Sequence, residues 1–159
     1  MQPIVRPARE GDLPAVMGLL ALKAEFDGSR EALVATEGQL REALFSPSPR
    51  AQALLAVADG RPIGLATYFL TFSTFLARPG IWLDHLYVRE EHRSRGVGEA
   101  LMAALARIAG ERGCGRIEWT VALGNDRGIA FYERLGATVR QQSRCVRLGA
   151  DGIDRLATA

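Results

Sequence analysis

Short runs rich in β-branched, aromatic and aliphatic residues alternate along this chain with segments of helical periodicity. The pair Asp59-Gly60 joins two such runs and is typical of a tight hairpin turn. Arg78-Pro79-Gly80 is expected to break the chain before the next strand. Strands are predicted over residues 2–6, 51–58, 63–72, 81–88 and 116–122, with a last hairpin over residues 137–140 and 144–148.

Two helices are predicted between the first two strands. Asp12 is placed to cap the first helix, which has Pro14 in its first turn and is predicted to end at residues 25–28. Thr36 and Gln39 have the spacing of a capping box and predict the start of the second helix. Both helices therefore precede the first hairpin.

Two further helices follow the fourth and fifth strands. Apolar residues recur three or four positions apart over residues 97–109, and the glycines of residues 112–115 close that helix. Residues 125–135 form the other, which Gly136 ends. The predicted order, β-α-α-β-β-β-α-β-α-β-β, mixes hairpins with helical crossovers, so the predicted sheet is mixed and the predicted class is α+β or α/β.

Composition limits the class of protein. The 159 residues are 48% hydrophobic and 24% charged, which is ordinary for a globular protein, and residues 1–159 are expected to form a single domain. No apolar run approaches the roughly 20 residues that cross a bilayer, and no signal peptide begins the chain, so a cytoplasmic location without a membrane partner is expected. Cys114 and Cys145 fit no metal spacing or disulfide framework, so no metal is expected. A net charge of +2 does not argue for nucleic acid.

The turn between the fourth strand and the third helix has the features of an anion site. The first N–H groups of a helix lack internal partners, and the helix dipole makes that end positive. Arg93 and Arg95 add full charges, while Gly96 and Gly98 leave the backbone open to a phosphate. The alternative for this segment alone is an ordinary turn with a solvated basic face.

Two familiar phosphate-binding loops do not fit this turn. A P-loop needs a Lys-Ser/Thr pair where Glu99 and Ala100 stand, and the dinucleotide fingerprint needs a small residue at Leu101. The remaining pattern, Arg-x-x-Gly-x-Gly over residues 93–98, resembles the acetyl-CoA pyrophosphate loop of the GNAT N-acetyltransferase superfamily. The predicted element order is also similar to the GNAT fold, a central mixed, mostly antiparallel sheet flanked by helices.

A second segment, NDRGIAFYERLGA over residues 125–137, resembles the second GNAT motif. In that family the asparagine bonds the pantetheine arm or the local backbone, and the tyrosine points its hydroxyl at the thioester sulfur. For this segment alone, an amphipathic helix that packs Phe131 and Tyr132 on the sheet is the alternative. The two motifs support the resemblance jointly, because they occur in the family's order with a strand between them.

Acyl transfer from a thioester to an amine sets chemical requirements. An alkylammonium has a pKa of about 10.4, so a base must take its proton. Asp84 is the candidate base, because a carboxylate inside an apolar strand is expensive unless it is solvated or used. His85 is a candidate proton relay, substrate contact or partly exposed strand residue. Tyr132 is the candidate acid for the leaving thiolate, and neither cysteine is needed as a nucleophile. The resemblance implies that a backbone N–H of Leu86 or Val88 stabilises the oxyanion.

Within the superfamily the sequence looks most like the diamine and polyamine acetyltransferase branch, on the segments GLATYFLTFSTF, LDHLYV and FYERLGA. That branch has two adjacent acids on the strand, whereas here Asp84 is followed by His85, a departure that speaks against polyamine specificity. Glu25 and Asp27 match a region that holds substrate acids in the branch, with a solvated helix end as the alternative. Arg134 matches a CoA-phosphate contact, with surface solvation as the alternative.

The resemblance implies an acetyl-CoA-dependent N-acetyltransferase that acts by direct attack of a small primary amine, and a homodimer. The acceptor is expected to be a diamine, a polyamine or a lysine-like amino acid; an acidic, closed site would favour a polyamine and a small, mixed site an amino acid. A non-catalytic acyl-CoA-binding regulatory module and a peptide or protein N-acetyltransferase are the alternatives. The implied substrate-binding residues are Glu25, Asp27, Asp84 and His85. The implied cofactor-binding residues are Leu86, Tyr87, Val88, Arg93, Ser94, Arg95, Gly96, Val97, Gly98, Glu99, Asn125, Phe131 and Arg134.

Overall fold

The computed structural model describes residues 3–158 in two compact units, residues 3–120 and residues 121–158. The prediction of one domain over the whole chain stays a prediction. Among residues 3–158, no helix is both long and apolar enough to cross a membrane. The first unit contains β1 (Ile4–Pro7), α1 (Leu13–Phe26), α2 (Glu37–Phe45), β2 (Gln52–Ala58), β3 (Arg61–Ser73), β4 (Arg78–Val88), α3 (Val97–Glu111) and β5 (Ile117–Glu118). The second contains α4 (Asp126–Arg134) and α5 (Ala150–Ala157).

The sheet of the first unit has the order β1-β2-β3-β4-β5. Its first three pairs are antiparallel, and β4 pairs with β5 in parallel, so the predicted mixed, mostly antiparallel sheet is confirmed. Asp59 and Gly60 join β2 to β3 with φ values of 50° and 73°, the left-handed pair that a tight hairpin turn needs. The first strand was predicted to begin at Gln2, which lies outside the described residues.

Helices cover both faces of this sheet. Val16 and Leu19 of α1 pack with Leu65 and Tyr87 in the core. A Cβ at Gly64, whose neighbour Leu65 faces α1, would meet Leu101 and Val97 of α3 at 3.2–3.3 Å. Because side chains alternate across a strand, α1 and α3 lie on opposite faces.

Local helix signals are confirmed for α2 and α3. Thr36 and Gln39 form the predicted capping box: Gln39 N–H donates to Thr36 Oγ1 over 3.3 Å, and Thr36 N–H donates to Gln39 Oε1 over 2.9 Å. At the end of α3, Gly113 has a φ of 66°, and the N–H of Cys114 donates to the carbonyl of Ala109. This is the glycine-dependent helix end that the sequence predicted.

The prediction that the Asp12 side chain caps α1 is wrong. Both of its oxygens accept from the Arg6 guanidinium, over 2.6 and 2.9 Å, and one also accepts from the Arg9 N–H over 2.7 Å. The hydrogen bonds from Arg6, then the one from the Arg9 backbone, lower the pKa of Asp12 to about 2. Its carboxylate thus ties the end of β1 to the start of α1.

Three predictions about strands are also wrong: the break at residues 78–80, the length of the fifth strand and the last hairpin. Residues 78–80 do not break the chain but begin β4; Gly80 lies so close to β3 that a Cβ would meet Thr71 Oγ1 at 2.8 Å. The missing N–H of Pro79 is tolerated, because pairing of β4 with β5 begins only at Ile81. The fifth strand is Ile117–Glu118 rather than residues 116–122, since its pairing ends where β4 bulges.

The predicted last hairpin over residues 137–140 and 144–148 is absent, and the helix α5 was not predicted. An isolated two-stranded hairpin is marginal, and residues 121–158 contain no strand for it to join. The signals for α5 were present in the sequence: Asp151 lies in its first turn and Arg155 in its last, with Ile153 and Leu156 three positions apart.

Candidate active site

A β-bulge places Asp84 at the middle of β4. His85 pairs with Thr67 and Leu83 pairs with Tyr68, so Asp84 is the extra residue between two consecutive ladder pairs. Its side chain is 50% exposed, and Oδ2 lies 3.4 Å from Nε2 of His85. The Asp84 carboxylate is therefore solvated, and the desolvation cost expected for a charge inside an apolar strand does not arise. No local pattern of residues signals the bulge itself.

The backbone of β4 after the bulge alternates between two directions. The N–H of Arg89 donates to Ile63 O over 2.9 Å and therefore points toward β3. By alternation along the strand, the N–H of Tyr87 points the same way. The N–H groups of Leu86 and Val88 therefore point to the other edge. Within the described chain, β5 pairs along that edge only at Ile81 and Trp82. These are the two N–H groups that the family resemblance offered as alternative oxyanion donors.

The turn before α3 has the backbone conformation of an anion site. Ser94 and Gly96 have φ values of 60° and 78°, and the N-cap residue, Gly96, has no side chain with which to cap the helix. Ala100 N–H donates to Gly96 O, so the intrahelical ladder begins there and the N–H groups of Val97, Gly98 and Glu99 precede it. This arrangement fits a pyrophosphate group. We call residues 93–99 the cradle.

Arg93 does not project freely from the cradle. Its Cζ lies 4.7 Å from the Phe26 ring centroid and 5.5 Å from that of Tyr87, and its Nε donates to Val88 O over 3.0 Å. The guanidinium is half-buried by these contacts, whereas Arg95 is exposed. Arg93 thus joins the cradle to β4 and α1. Its guanidinium has five N–H donors, so groups other than Nε can still donate to a ligand. The role of Phe26 was missed by sequence reasoning.

The end of α1 and β4 enclose a small, partly open cavity of about 90 Å³. It brings together Asp27 and His85, two of the residues that the family resemblance implied for substrate binding. Glu25 is outside the lining and forms an ion pair with Arg30. Sequence reasoning missed Lys23, whose Nζ lies 2.5 and 2.6 Å from the Asp27 oxygens. We call this the α1–β4 cavity; its lining is Leu20, Lys23, Ala24, Asp27, Ser29, Ala32, Leu33 and His85.

A buried polar atom lies beside this cavity. Thr67 is 7% exposed, stands directly opposite His85 in the ladder, and its Oγ1 has no hydrogen-bond partner among residues 3–158. A buried hydroxyl without a partner is costly to a fold. A ligand or a water next to His85 would supply the missing partner of this hydroxyl.

The second motif forms α4 in the unit of residues 121–158. Asn125 caps the helix, its Oδ1 accepting from Gly128 N–H over 3.0 Å, and a Cβ at Gly128 would meet the Asn125 side chain at 2.6–2.9 Å. The ring centroids of Phe131 and Tyr132 lie 5.1 Å apart, and both residues are half-buried. Arg134 in the last turn is exposed. Asn125 therefore bonds the local backbone, one of the two roles that the resemblance implied.

The family follows from comparison with known proteins. A model of the acetyltransferase (GNAT) family matches residues 20–137, which include the end of α1, the bulge, the cradle and α4. The chain belongs to this family. It is an acetyltransferase. The GNAT fold and the family membership that its two motifs predicted are confirmed.

Named relatives agree with this assignment. The chain is 28% identical to a thialysine N-epsilon-acetyltransferase of Bos taurus, in an alignment that covers 97% of this chain and 96% of the relative. It is 36% identical to L-ornithine N5-acetyltransferase NATA1 of Arabidopsis thaliana over 58% of this chain and 41% of that protein. Among solved structures, an integron cassette protein from the mobile metagenome of V. cholerae has a TM-score of 0.80 at 25% identity, with 100% of this chain and 99% of the other covered.

Proposed function

We propose that this protein transfers the acetyl group of acetyl-CoA to the side-chain amine of a diamino acid of the lysine or ornithine class. The observation that carries the proposal is the alignment, over almost the whole of both chains, with a thialysine N-epsilon-acetyltransferase. A second relative is named for L-ornithine, another diamino acid. His85 in place of a second acid on β4 also favours an amino acid over a polyamine.

The cradle is the proposed holder of the acetyl-CoA pyrophosphate. The first N–H groups of α3 and the charge of Arg95 supply donors for it. Asn125, Phe131 and Arg134 are proposed to contact the rest of the donor. Acetyl-CoA supplies the acetyl group as a thioester, which an amine can attack directly.

Asp84 is the proposed base, acting directly or through a water. A substrate ammonium gives up one proton to become nucleophilic, and a second proton leaves nitrogen as the N–C bond forms and the C–S bond breaks. Tyr132 is the proposed donor of a proton to the leaving sulfur, and the N–H groups of Leu86 and Val88 are proposed to stabilise the oxyanion. One proton ends on the CoA thiol and one in solvent, so the reaction balances.

An amine panel tests this proposal. The protein is incubated with acetyl-CoA and, separately, thialysine, lysine, ornithine, putrescine, cadaverine, spermidine or a peptide with a free N-terminus, and released thiol is measured. We expect the diamino acids to react best. Acetyl-CoA binding without turnover of any amine would instead favour a non-catalytic module, and turnover of the peptide alone would favour a peptide acetyltransferase.

The acid role has its own test in Tyr132→Phe. Loss of the hydroxyl should lower kcat by roughly 10²-fold, the lower end for general acid catalysis, while the Kd for acetyl-CoA stays unchanged. Tyr68→Phe is the matched control, because Tyr68 is buried in β3. A large loss of acetyl-CoA affinity in Tyr132→Phe would contradict the acid assignment.

We also propose, from the family resemblance, a cytoplasmic homodimer whose chains each form a single domain. Sedimentation equilibrium measures the oligomeric state directly. A mass of one chain at micromolar concentration would overturn the dimer.

A further inference from the structure

The α1–β4 cavity is charge-balanced rather than acidic. Lys23 and Asp27 face each other across its wall, with side chains 19% and 35% exposed. Glu25, the other acid at the end of α1, is engaged by Arg30. A polycation is bound best by an excess of negative charge, which this lining lacks. A ligand with one charge of each sign matches it instead.

The cavity also limits the size of what it can hold. A cavity of about 150 Å³ takes one benzene ring, so a volume of about 90 Å³ suits a head group of a few atoms. The α-ammonium and α-carboxylate of an amino acid are such a head group. The remainder of the molecule, with its second amine, must lie outside.

The Lys23–Asp27 pair has hydrogen-bonding capacity to spare. Lysine has three donors, and a carboxylate has about four acceptor positions, so neither group is saturated by the two contacts between them. An incoming zwitterion offers each of them an opposite charge. Because each charge that leaves water then faces an opposite charge, the cost of removing charges from water is partly offset.

Lys23 is also the single lysine of the chain, whose other 19 cationic side chains are all arginine. A lysine ammonium is a compact point charge, whereas a guanidinium is a wide planar fork. In a cavity of this size, the smaller group leaves space for a carboxylate. Its ammonium lies over Phe26, with Nζ 5.9 Å from the ring centroid.

We propose that Lys23 and Asp27 form a subsite that reads the α-amino-acid head group of the acceptor, Lys23 binding the carboxylate and Asp27 the α-ammonium. This inference rests on the proposed function and adds the residues that select a diamino acid over the corresponding diamine. His85 lines the same cavity and contacts Asp84, so the subsite adjoins the proposed base. An acceptor held by its head group here presents its distal amine for reaction.

Matched substrate pairs test the subsite. Lysine and cadaverine, and ornithine and putrescine, differ only by the carboxylate. A charge-assisted hydrogen bond corresponds to a preference of roughly 10- to 100-fold, so we expect kcat/KM for each amino acid to exceed that for its diamine by this factor. Lys23→Met should abolish the preference, lowering kcat/KM for lysine and raising it for cadaverine, because a repulsive cation is removed.

Arg30→Met is the matched control. It removes a cation from the same stretch of chain, but one that pairs with Glu25 outside the cavity, so the preference should remain. Equal kcat/KM for lysine and cadaverine in the natural protein, or an unchanged preference in Lys23→Met, would overturn the subsite alone. No turnover of any amine would instead overturn the proposed function.

A readout independent of catalysis uses the single lysine. Protein grown with 13C,15N-lysine gives one lysine side-chain signal in NMR, which needs no assignment. L-norleucine, which has the head group without a second amine, should shift this signal more than pentylamine does, because pentylamine can reach Lys23 only indirectly, through Asp27. A signal that neither molecule moves, or that both move equally, would contradict carboxylate recognition by Lys23.

Discussion

At the residue scale, a one-residue insertion in β4 determines how the central carboxylate is presented. Without the bulge, strict alternation along β4 would continue through Asp84. With it, Asp84 stands outside the ladder, half-exposed and beside His85. A base in that position meets solvent and substrate without a burial cost.

Asp84→Asn tests this role. Asparagine keeps the shape of the side chain but cannot take a proton, so kcat/KM should fall by roughly 10²-fold or more while acetyl-CoA affinity is retained. Steady-state kinetics and a binding titration measure the two quantities. Asp59→Asn is the control: it makes the same chemical change in a hairpin turn, at a φ of 50° that asparagine tolerates. Full activity of Asp84→Asn would exclude Asp84 as the base.

Single residues differ in how far the sequence alone reveals them. Asn125 was predictable, because its cap depends on Gly128 three positions away. Lys23, Phe26 and Thr67 were not, because their roles depend on contacts with β4 or on burial that no local pattern encodes. The lone lysine was the one available signal.

At the scale of elements, α3 has a left-handed glycine at each end. Gly96 precedes its first turn with a φ of 78°, and Gly113 follows its last with a φ of 66°. Neither position has a heavy atom within 4 Å of an added Cβ. Any effect of alanine is therefore conformational rather than a clash.

Gly96→Ala and Gly113→Ala form a matched pair of variants. Each should lower the free energy of unfolding by about 1–2 kcal/mol, the cost of a side chain in the left-handed region. Only Gly96→Ala should weaken acetyl-CoA binding, because only Gly96 orients the N–H groups of the cradle. Urea unfolding and a binding titration give the comparison; equal loss of affinity in both variants would argue against the cradle as the donor site.

Elements that a local signal defines were predicted, and elements that need a partner were not. The capping box of Thr36 and the turn at Asp59-Gly60 depend on residues within a few positions. The length of β5 depends on where β4 bulges, and the expected hairpin after residue 136 has no strand to join within residues 121–158. Periodicity reports which face of a strand is apolar, but it does not report what lies beside that strand.

At the scale of the whole molecule, one ion pair connects β1 to the residue that precedes α1. Arg6 of β1 holds both oxygens of Asp12, and the two side chains are 32% and 17% exposed. The pKa of Asp12 falls from 3.8 to about 2. A lowered pKa in the folded state means that the pair stabilises the fold at pH values above about 4 and is lost as the pH falls toward 2.

Asp12→Asn should therefore lower stability at pH 7 by about 2 kcal/mol at most, the equivalent of this pKa difference. The gap between the two proteins should close as the pH falls from about 4 to about 2, the interval between the unfolded and folded pKa values of Asp12. Chemical denaturation across that range measures it. Arg6→Met should act in the same window, and the double variant should lose little more than either single one. A gap as large at pH 2 as at pH 7 would contradict the ion pair as its source.

Phe26 lies between the α1–β4 cavity, proposed for the acceptor, and the cradle, proposed for the donor. Lys23 of the cavity and Arg93 of the cradle both lie over its ring. A substrate that draws on one cation alters the surroundings of the other, so the affinities for donor and acceptor should be thermodynamically coupled. Such coupling is reciprocal, and the factor by which lysine changes the Kd of acetyl-CoA must equal the reverse. Phe26→Leu should move that factor toward one, which titrations of acetyl-CoA with and without lysine measure.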